Sequence, residues 1–147
     1  MSEYDADEKF PTGFKYADGE TAYVFSSHNE KTVMRHFSWM KEYGIDGAFL
    51  QRFQSGADPG LKRDHKDQVM LYCQKAANKH KRAWAMMYDL SNDSYTSLEL
   101  RDRIIGDWKH LVDSYGITKD PTDGAYLHHR GKPVVAVWGL LFNRSYE

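Results

Sequence analysis

Short apolar runs alternate along the chain with amphipathic stretches. The runs that predict strands lie at residues 21–27, 47–53, 82–89 and after Pro133. Between the first two runs, Val33, Phe37 and Met40 recur at helical spacing, and residues 63–82 carry a similar apolar stripe. Short apolar runs indicate buried strands, whereas apolar residues three or four positions apart indicate amphipathic helices. The predicted order is β-α-β-α-β-α-(β)-β, after an irregular lead-in over residues 1–20.

Local signals mark where the predicted helices begin and end. Asn29 can accept a hydrogen bond at the start of the first helix, and Thr96 and Glu99 have the spacing of a capping box before the third. The first and third helices end in "EYGI" and "SYGI", in which Gly44 and Gly116 suit the left-handed position after the last turn. Strands that alternate with such helices predict an α/β fold with a parallel sheet and right-handed crossovers.

Polar and aromatic side chains stand at or just beyond the predicted carboxyl end of every strand. They are Ser26, Ser27 and His28 for the first strand, Gln51, Arg52 and Phe53 for the second, Tyr88, Asp89 and Ser91 for the third, and Trp138, Asn143 and Arg144 for the fourth. The carboxyl ends of the strands form the ligand face in parallel α/β folds. Aromatic faces stack on the CH surfaces of a pyranose, and amide and charged groups bind its hydroxyls, so the pattern predicts a carbohydrate site.

The candidate residues of this site follow from those strand ends. Asp89 is the candidate catalytic residue, and the candidate substrate-binding residues are His28, Gln51, Arg52, Tyr88, Trp138 and Asn143. The alternative for Arg52 and Asp89 is a structural role as members of ion pairs. No metal site is predicted, because His128 and His129 are adjacent in a strand and point to opposite faces.

Composition and charge exclude several other classes of function. The formal net charge is −1, which indicates no nucleic-acid partner and no membrane surface. No apolar run approaches the ~18 residues of a membrane span, and "MSEYDADEKF" lacks the apolar core of a signal peptide. As written, the chain is not expected to be exported by that route. Neither GxGxxG nor GxxxxGK[ST] occurs, so no nucleotide cofactor is predicted.

Three blocks of the sequence resemble a known family. "YVFSSHNEKTVMRHFSWMKEYGIDGAFLQRF", "RAWAMMYDLS" and "YLHHRGKPVVAVWGLLF" are similar to the glycoside hydrolase family 71/99-like proteins, often described as xylosidases or arabinosidases. The resemblance extends over roughly residues 2–146. It implies a (β/α)8 TIM barrel that acts on polysaccharide or glycan without a nucleotide cofactor.

The length of the chain limits how much of such a barrel it can form. A complete barrel takes about 250 residues and eight strands, whereas these 147 residues supply about four major strands. The expected fold is therefore a partial (β/α)8 TIM-barrel-like fold, a half barrel from the middle of the family's pattern. A half barrel leaves open sheet edges, which favour pairing with another chain. We expect either a homodimer that closes those edges or an open sheet that stands alone.

Catalysis by this chain alone is not expected. Glycoside hydrolysis normally needs two carboxyl groups, about 5 Å apart for retention or about 6.5–9.5 Å apart for inversion. Asp89 is the acidic side chain at a predicted strand end, with Asp93 and Glu147 nearby in loop or tail, and the late Glu-Trp-His-Glu block of family 99 is not in the sequence. The sequence predicts a glycoside hydrolase-like protein that binds glycan. The alternatives are a non-catalytic carbohydrate-binding module and a structural half barrel used in assembly.

Overall fold

The computed structural model describes residues 3–91 and 95–140. Within these ranges the helices are α1 (Glu30–Glu42), α2 (Leu61–His80) and α3 (Ser97–Tyr115). The strands are β1 (Phe10–Lys15), β2 (Thr21–Val24), β3 (Gly47–Phe53), β4 (Ala83–Asp89), β5 (His128–His129), β6 (Lys132–Pro133) and β7 (Val135–Trp138). Short 3-10 turns occur at Ala6–Glu8 and Gln54–Gly56.

The central element is a parallel sheet of three strands in the order β3-β4-β7. β3 and β4 pair in register along their full length, from Gly47 opposite Ala83 to Phe53 opposite Asp89. β7 joins only the second half of β4, where Trp138 pairs with Asp89. In the chain, α2 lies between β3 and β4, and α3 lies between β4 and β7, so the predicted parallel arrangement of the second, third and fourth runs is confirmed.

The predicted ends of the first and third helices are confirmed by the cap geometry, whereas the second helix, predicted over residues 63–82, spans Leu61–His80. The side chain of Asn29 accepts a hydrogen bond from the amide of Lys31, and Thr96 and Glu99 form the reciprocal capping box of α3. Gly44 and Gly116 have φ angles of 70° and 66°, which a residue with a Cβ rarely adopts. These ends depend only on neighbouring residues, which is why the sequence reveals them.

The amino-terminal region differs from the prediction in two ways. Residues 1–20 are not wholly irregular, because β1 lies there, and β2 pairs antiparallel with β1 rather than with the parallel sheet. Pro11 and Gly13 interrupt the pattern of β1, which obscures it, although a two-stranded hairpin tolerates proline at its edge. The described residues therefore contain three strands of the parallel sheet and not four.

Between α3 and β7 the chain forms a short hairpin that is not part of the parallel sheet. Tyr126 forms a parallel bridge with Trp84, and the chain then leaves the sheet through the hairpin of β5 and β6. It returns where the amide of Val134 donates to the carbonyl of Leu127 at 2.9 Å. β7 was predicted as buried but is an edge strand with Trp138 58% exposed. An apolar run indicates a strand, but the exposure of that strand depends on how many strands lie beside it.

Candidate functional site

The two faces of the parallel sheet differ in what covers them. Successive side chains of a strand point to opposite faces, and the parallel register places Arg52 and Tyr88 on one face and Gln51, Phe53 and Asp89 on the other. The first face packs against α2 and α3. The second, which we call the open face, carries aromatic side chains that remain exposed, among them Phe49, Phe53 and Trp138.

Arg52 lies on the helix-facing side in a buried ion cluster. Its Nη2 donates to Asp67 of α2 at 2.7 Å and to Asp107 of α3 at 2.6 Å, and the residue is 2% exposed. The Tyr88 hydroxyl donates to Asp107 at 2.8 Å, and burial raises the pKa of that hydroxyl far above its ordinary value. His110 lies 2.8 Å from the other oxygen of Asp67. This geometry agrees with the structural alternative for Arg52 and separates Arg52 and Tyr88 from the open face.

The two aspartates of this cluster were missed by the sequence analysis, although a signal exists. Asp107 lies on the same helical stripe as Leu100, Ile104 and Leu111. Asp67 precedes Met70 by three residues on the buried side of α2. An acidic residue in the middle of an apolar stripe is rarely buried without a partner, so each of these positions predicts a buried basic or hydroxyl group opposite.

Gln51 and Asp89 meet on the open face. The Gln51 side-chain amide donates to Oδ2 of Asp89, and the backbone amide of Ser91 donates to Oδ1 at 2.8 Å. Asp89 is 3% exposed; this burial acts to raise the pKa of its carboxyl, but the hydrogen bonds from Ser91 and Gln51 outweigh it, and the pKa lies below its ordinary value. Asp89 is therefore an ionised acceptor whose two oxygens are engaged, and it orients the Gln51 amide.

Two aromatic side chains flank this polar pair. Phe53, Asp89 and Trp138 form one row across the three strands, and Phe53 and Trp138 are 44% and 58% exposed. Two strand spacings separate the outer members of the row, a distance of about 10 Å. The row at the carboxyl end of the sheet thus offers two aromatic groups with a carboxylate–amide pair beside them.

Of the two remaining candidate residues, only His28 is within the described part of the chain, and it lies away from this row. His28 is in the loop before α1, and its ring stacks on that of His65 in α2, with centroids 4.2 Å apart and an angle of 12° between the planes. It therefore stands beside the amino-terminal part of α2 rather than at the end of a parallel strand. Asn143 lies outside the described residues.

An acidic group near the amino terminus has the geometry of possible metal ligands. Asp5, Asp7 and Glu8 place one oxygen each within 4.8 Å of one another. Their charges are already paired with cations of α1: Lys31 contacts Asp5 and Asp7, and Arg35 contacts Glu8 at 2.6 Å. The hydrogen bond from Arg35 lowers the pKa of Glu8 to about 2. We assign this group to the attachment of the amino-terminal segment to α1.

Among the described helices, none has the length and apolar character needed to span a membrane.

No protein-family model and no curated protein matches this chain. Among solved structures, it is similar to the GH99 endo-alpha-mannosidase from Bacteroides thetaiotaomicron in complex with bis-tris-propane, with a TM-score of 0.53 and 15% sequence identity. The match covers 77% of this chain and 30% of the mannosidase, so this chain corresponds to less than a third of that enzyme. The likeness is one of fold, and the three parallel strands and three helices are compatible with part of a TIM barrel.

Proposed function

We propose that this chain is a glycoside hydrolase-like protein that binds a glycan on the open face and does not hydrolyse it alone. The observation that carries the proposal is the row in which Phe53 and Trp138 flank Asp89 and its partner Gln51. This row stands at the carboxyl end of the parallel strands, where ligands bind in open α/β sheets and in barrels.

The chemistry of the row suits a sugar better than a purely apolar ligand. Exposed aromatic faces present the flat apolar surface that pyranose CH groups contact, and such large rings bury much area at a small entropy cost. The Gln51 amide is held by Asp89, so it presents its remaining hydrogen-bonding groups in a fixed direction. Fixed polar groups between apolar walls are the usual composition of a small-molecule site.

The protonation state of Asp89 does not suit the general acid of a glycosidase. A general acid of a glycosidase must be protonated near neutral pH, which requires a raised pKa. The pKa of Asp89 is instead lowered, and both carboxylate oxygens already accept hydrogen bonds. Asp89 remains the candidate catalytic residue of the sequence, and in the proposed function its task is to position Gln51.

Trp138→Ala should weaken glycan binding by at least about tenfold, as expected when an aromatic anchor is truncated. The measurement is isothermal titration calorimetry with neutral oligosaccharides of xylose, arabinose and mannose, beside an assay for released reducing ends. Tyr43→Ala is the matched control, because Tyr43 is 72% exposed but lies at the opposite end of the sheet. Affinity that is equal in wild type and Trp138→Ala would overturn the binding proposal. Catalytic release of reducing ends that Asp89→Asn abolishes would overturn the claim that this chain is inactive alone.

The homodimer stays a prediction. β3 and β7 are the edge strands of the described parallel sheet, and an apolar groove of about 300 Å³ lies between β7 and α3. Edges of this kind favour pairing with a second copy. Light scattering over a dilution series should give twice the chain mass together with one cooperative thermal transition. A folded species at the mass of a single chain at every concentration would contradict it.

A further inference from the structure

A small cleft lies at the edge of β3, next to the proposed sugar site. Its volume is about 230 Å³, and its polar border consists of Gln51, Arg52, His65 and Lys66. Apolar side chains from β3, β4 and α2 complete the wall, and no acidic side chain borders it among the described residues. The volume is below the range of roughly 300–1,000 Å³ that encloses a drug-sized ligand, so the cleft suits one sugar unit or a substituent of one.

Lys66 is a half-buried cation that has no carboxylate partner in the described part of the chain. Its Nζ donates to the backbone carbonyl of Phe53 at 3.2 Å and lies 5.8 Å from the centre of the Phe53 ring. Burial lowers the pKa of Lys66, the neighbouring charge of Arg52 lowers it further, and the charge of Asp107 offsets only part of this. Lys75, on the same helix, is instead paired with Glu30 at 2.5 Å. The ammonium of Lys66 is thus half-buried without a direct ion-pair partner among the described residues.

A second side chain at the cleft, that of Arg52, has a hydrogen-bond donor without a partner among the described residues. Arg52 is 2% exposed and borders the same cleft, and its Nε has no hydrogen-bond partner among the described residues. The end of the Lys66 side chain lies against Gly56, in space that a Cβ at that position would share. His65, whose ring stacks on that of His28, borders the cleft and can add a donor.

We propose that this cleft binds the acidic substituent, a carboxylate or a sulfate, of the glycan held on the open face. Lys66 supplies the opposite charge, and Phe53 joins the two sites, because its ring lies on the open face while its carbonyl contacts Lys66. The inference rests on the proposed glycan binding and deepens it. It assigns an anionic glycan as the ligand class, and a charge-assisted hydrogen bond as the source of the preference.

The test compares matched ligands by calorimetry at low ionic strength. The probes are a neutral xylo-oligosaccharide, the same chain with a glucuronic acid branch, and the same chain with a sulfate group. Wild type should bind each acidic ligand about tenfold more tightly than the neutral one, as one hydrogen bond to a charged group allows. Lys66→Gln should remove this difference. Lys79→Gln, which removes the same charge from the other end of α2, should retain it.

The outcomes separate this inference from the proposed function. If neutral and acidic ligands bind equally while Trp138→Ala weakens both, the glycan site stands and the anion cleft is overturned. A preference that survives in Lys66→Gln also overturns it, as does a preference that high salt leaves unchanged in wild type, since salt screens charge attraction. Binding of none of the three ligands would overturn both proposals. A preference for the glucuronate alone, or for the sulfate alone, identifies the substituent and supports the cleft.

Discussion

Arg52→Met should lower the free energy of unfolding by about 3–5 kcal/mol, the usual cost of removing one member of a buried ion cluster. Asp67 and Asp107 both depend on the Arg52 guanidinium, and without it two buried carboxylates would face each other across the helix layer. Methionine retains most of the side-chain volume, so the effect reports the lost charge and hydrogen bonds rather than a large cavity. The measurement is urea denaturation at neutral pH.

Arg103→Met is the control for this prediction. Arg103 also pairs with an aspartate, Asp58, but its side chain is 25% exposed and that of Asp58 is 56% exposed. Ion pairs that water reaches contribute about 0–1 kcal/mol, and this partly exposed pair should therefore lose much less stability on the same substitution. A loss of stability for Arg52→Met no larger than for Arg103→Met would show that the buried cluster is not a determinant of stability.

Gly47→Ala should lower the free energy of unfolding by about 3 kcal/mol, at the upper end of the cost of overpacking. A Cβ at this position would overlap the carbonyl oxygen of Ala83, which pairs with Gly47 at the start of the β3–β4 ladder. The obstructing atoms belong to the backbone, so no side-chain rotation relieves the overlap. The strands must move apart where their register is set.

The same substitution at Gly106 should have the opposite sign. Gly106 is within α3, and a Cβ there would meet no atom within 4 Å. Alanine favours a helix over glycine by about 0.8–1.0 kcal/mol, so Gly106→Ala should stabilise the protein. Thermal melts of the two variants beside wild type measure both effects. Equal or positive shifts for both would disprove the close approach of β3 and β4.

The alternation of β3 explains why three consecutive side chains at its end have different tasks. Gln51 and Phe53 face the open side, where they stand beside Asp89, whereas Arg52 faces α2 and α3. The sequence predicts all three as ligand-binding or strand-end residues because it places them at one end of a strand. It contains no local signal for which face the helices cover. The two aspartates that bind Arg52, Asp67 and Asp107, lie 15 and 55 residues from it in the sequence.

The sequence by itself determined the elements whose ends depend on near neighbours. The bounds of β3, the caps at Asn29 and Thr96, and the left-handed glycines after α1 and α3 all follow from contacts within a few residues. The parallel orientation of β3, β4 and β7 also follows, because helices lie between successive strands.

Only the tertiary structure decided which side chains can meet a ligand. In the folded chain β2 pairs with β1, and β7 is an edge strand with Trp138 exposed. Tyr88 is buried beneath α3, whereas Phe53 lies on the open face. An apolar sequence indicates a strand, but the exposure of its side chains depends on the elements that pack against the strand. Those elements are brought together by contacts that are distant in sequence, and no local pattern records them.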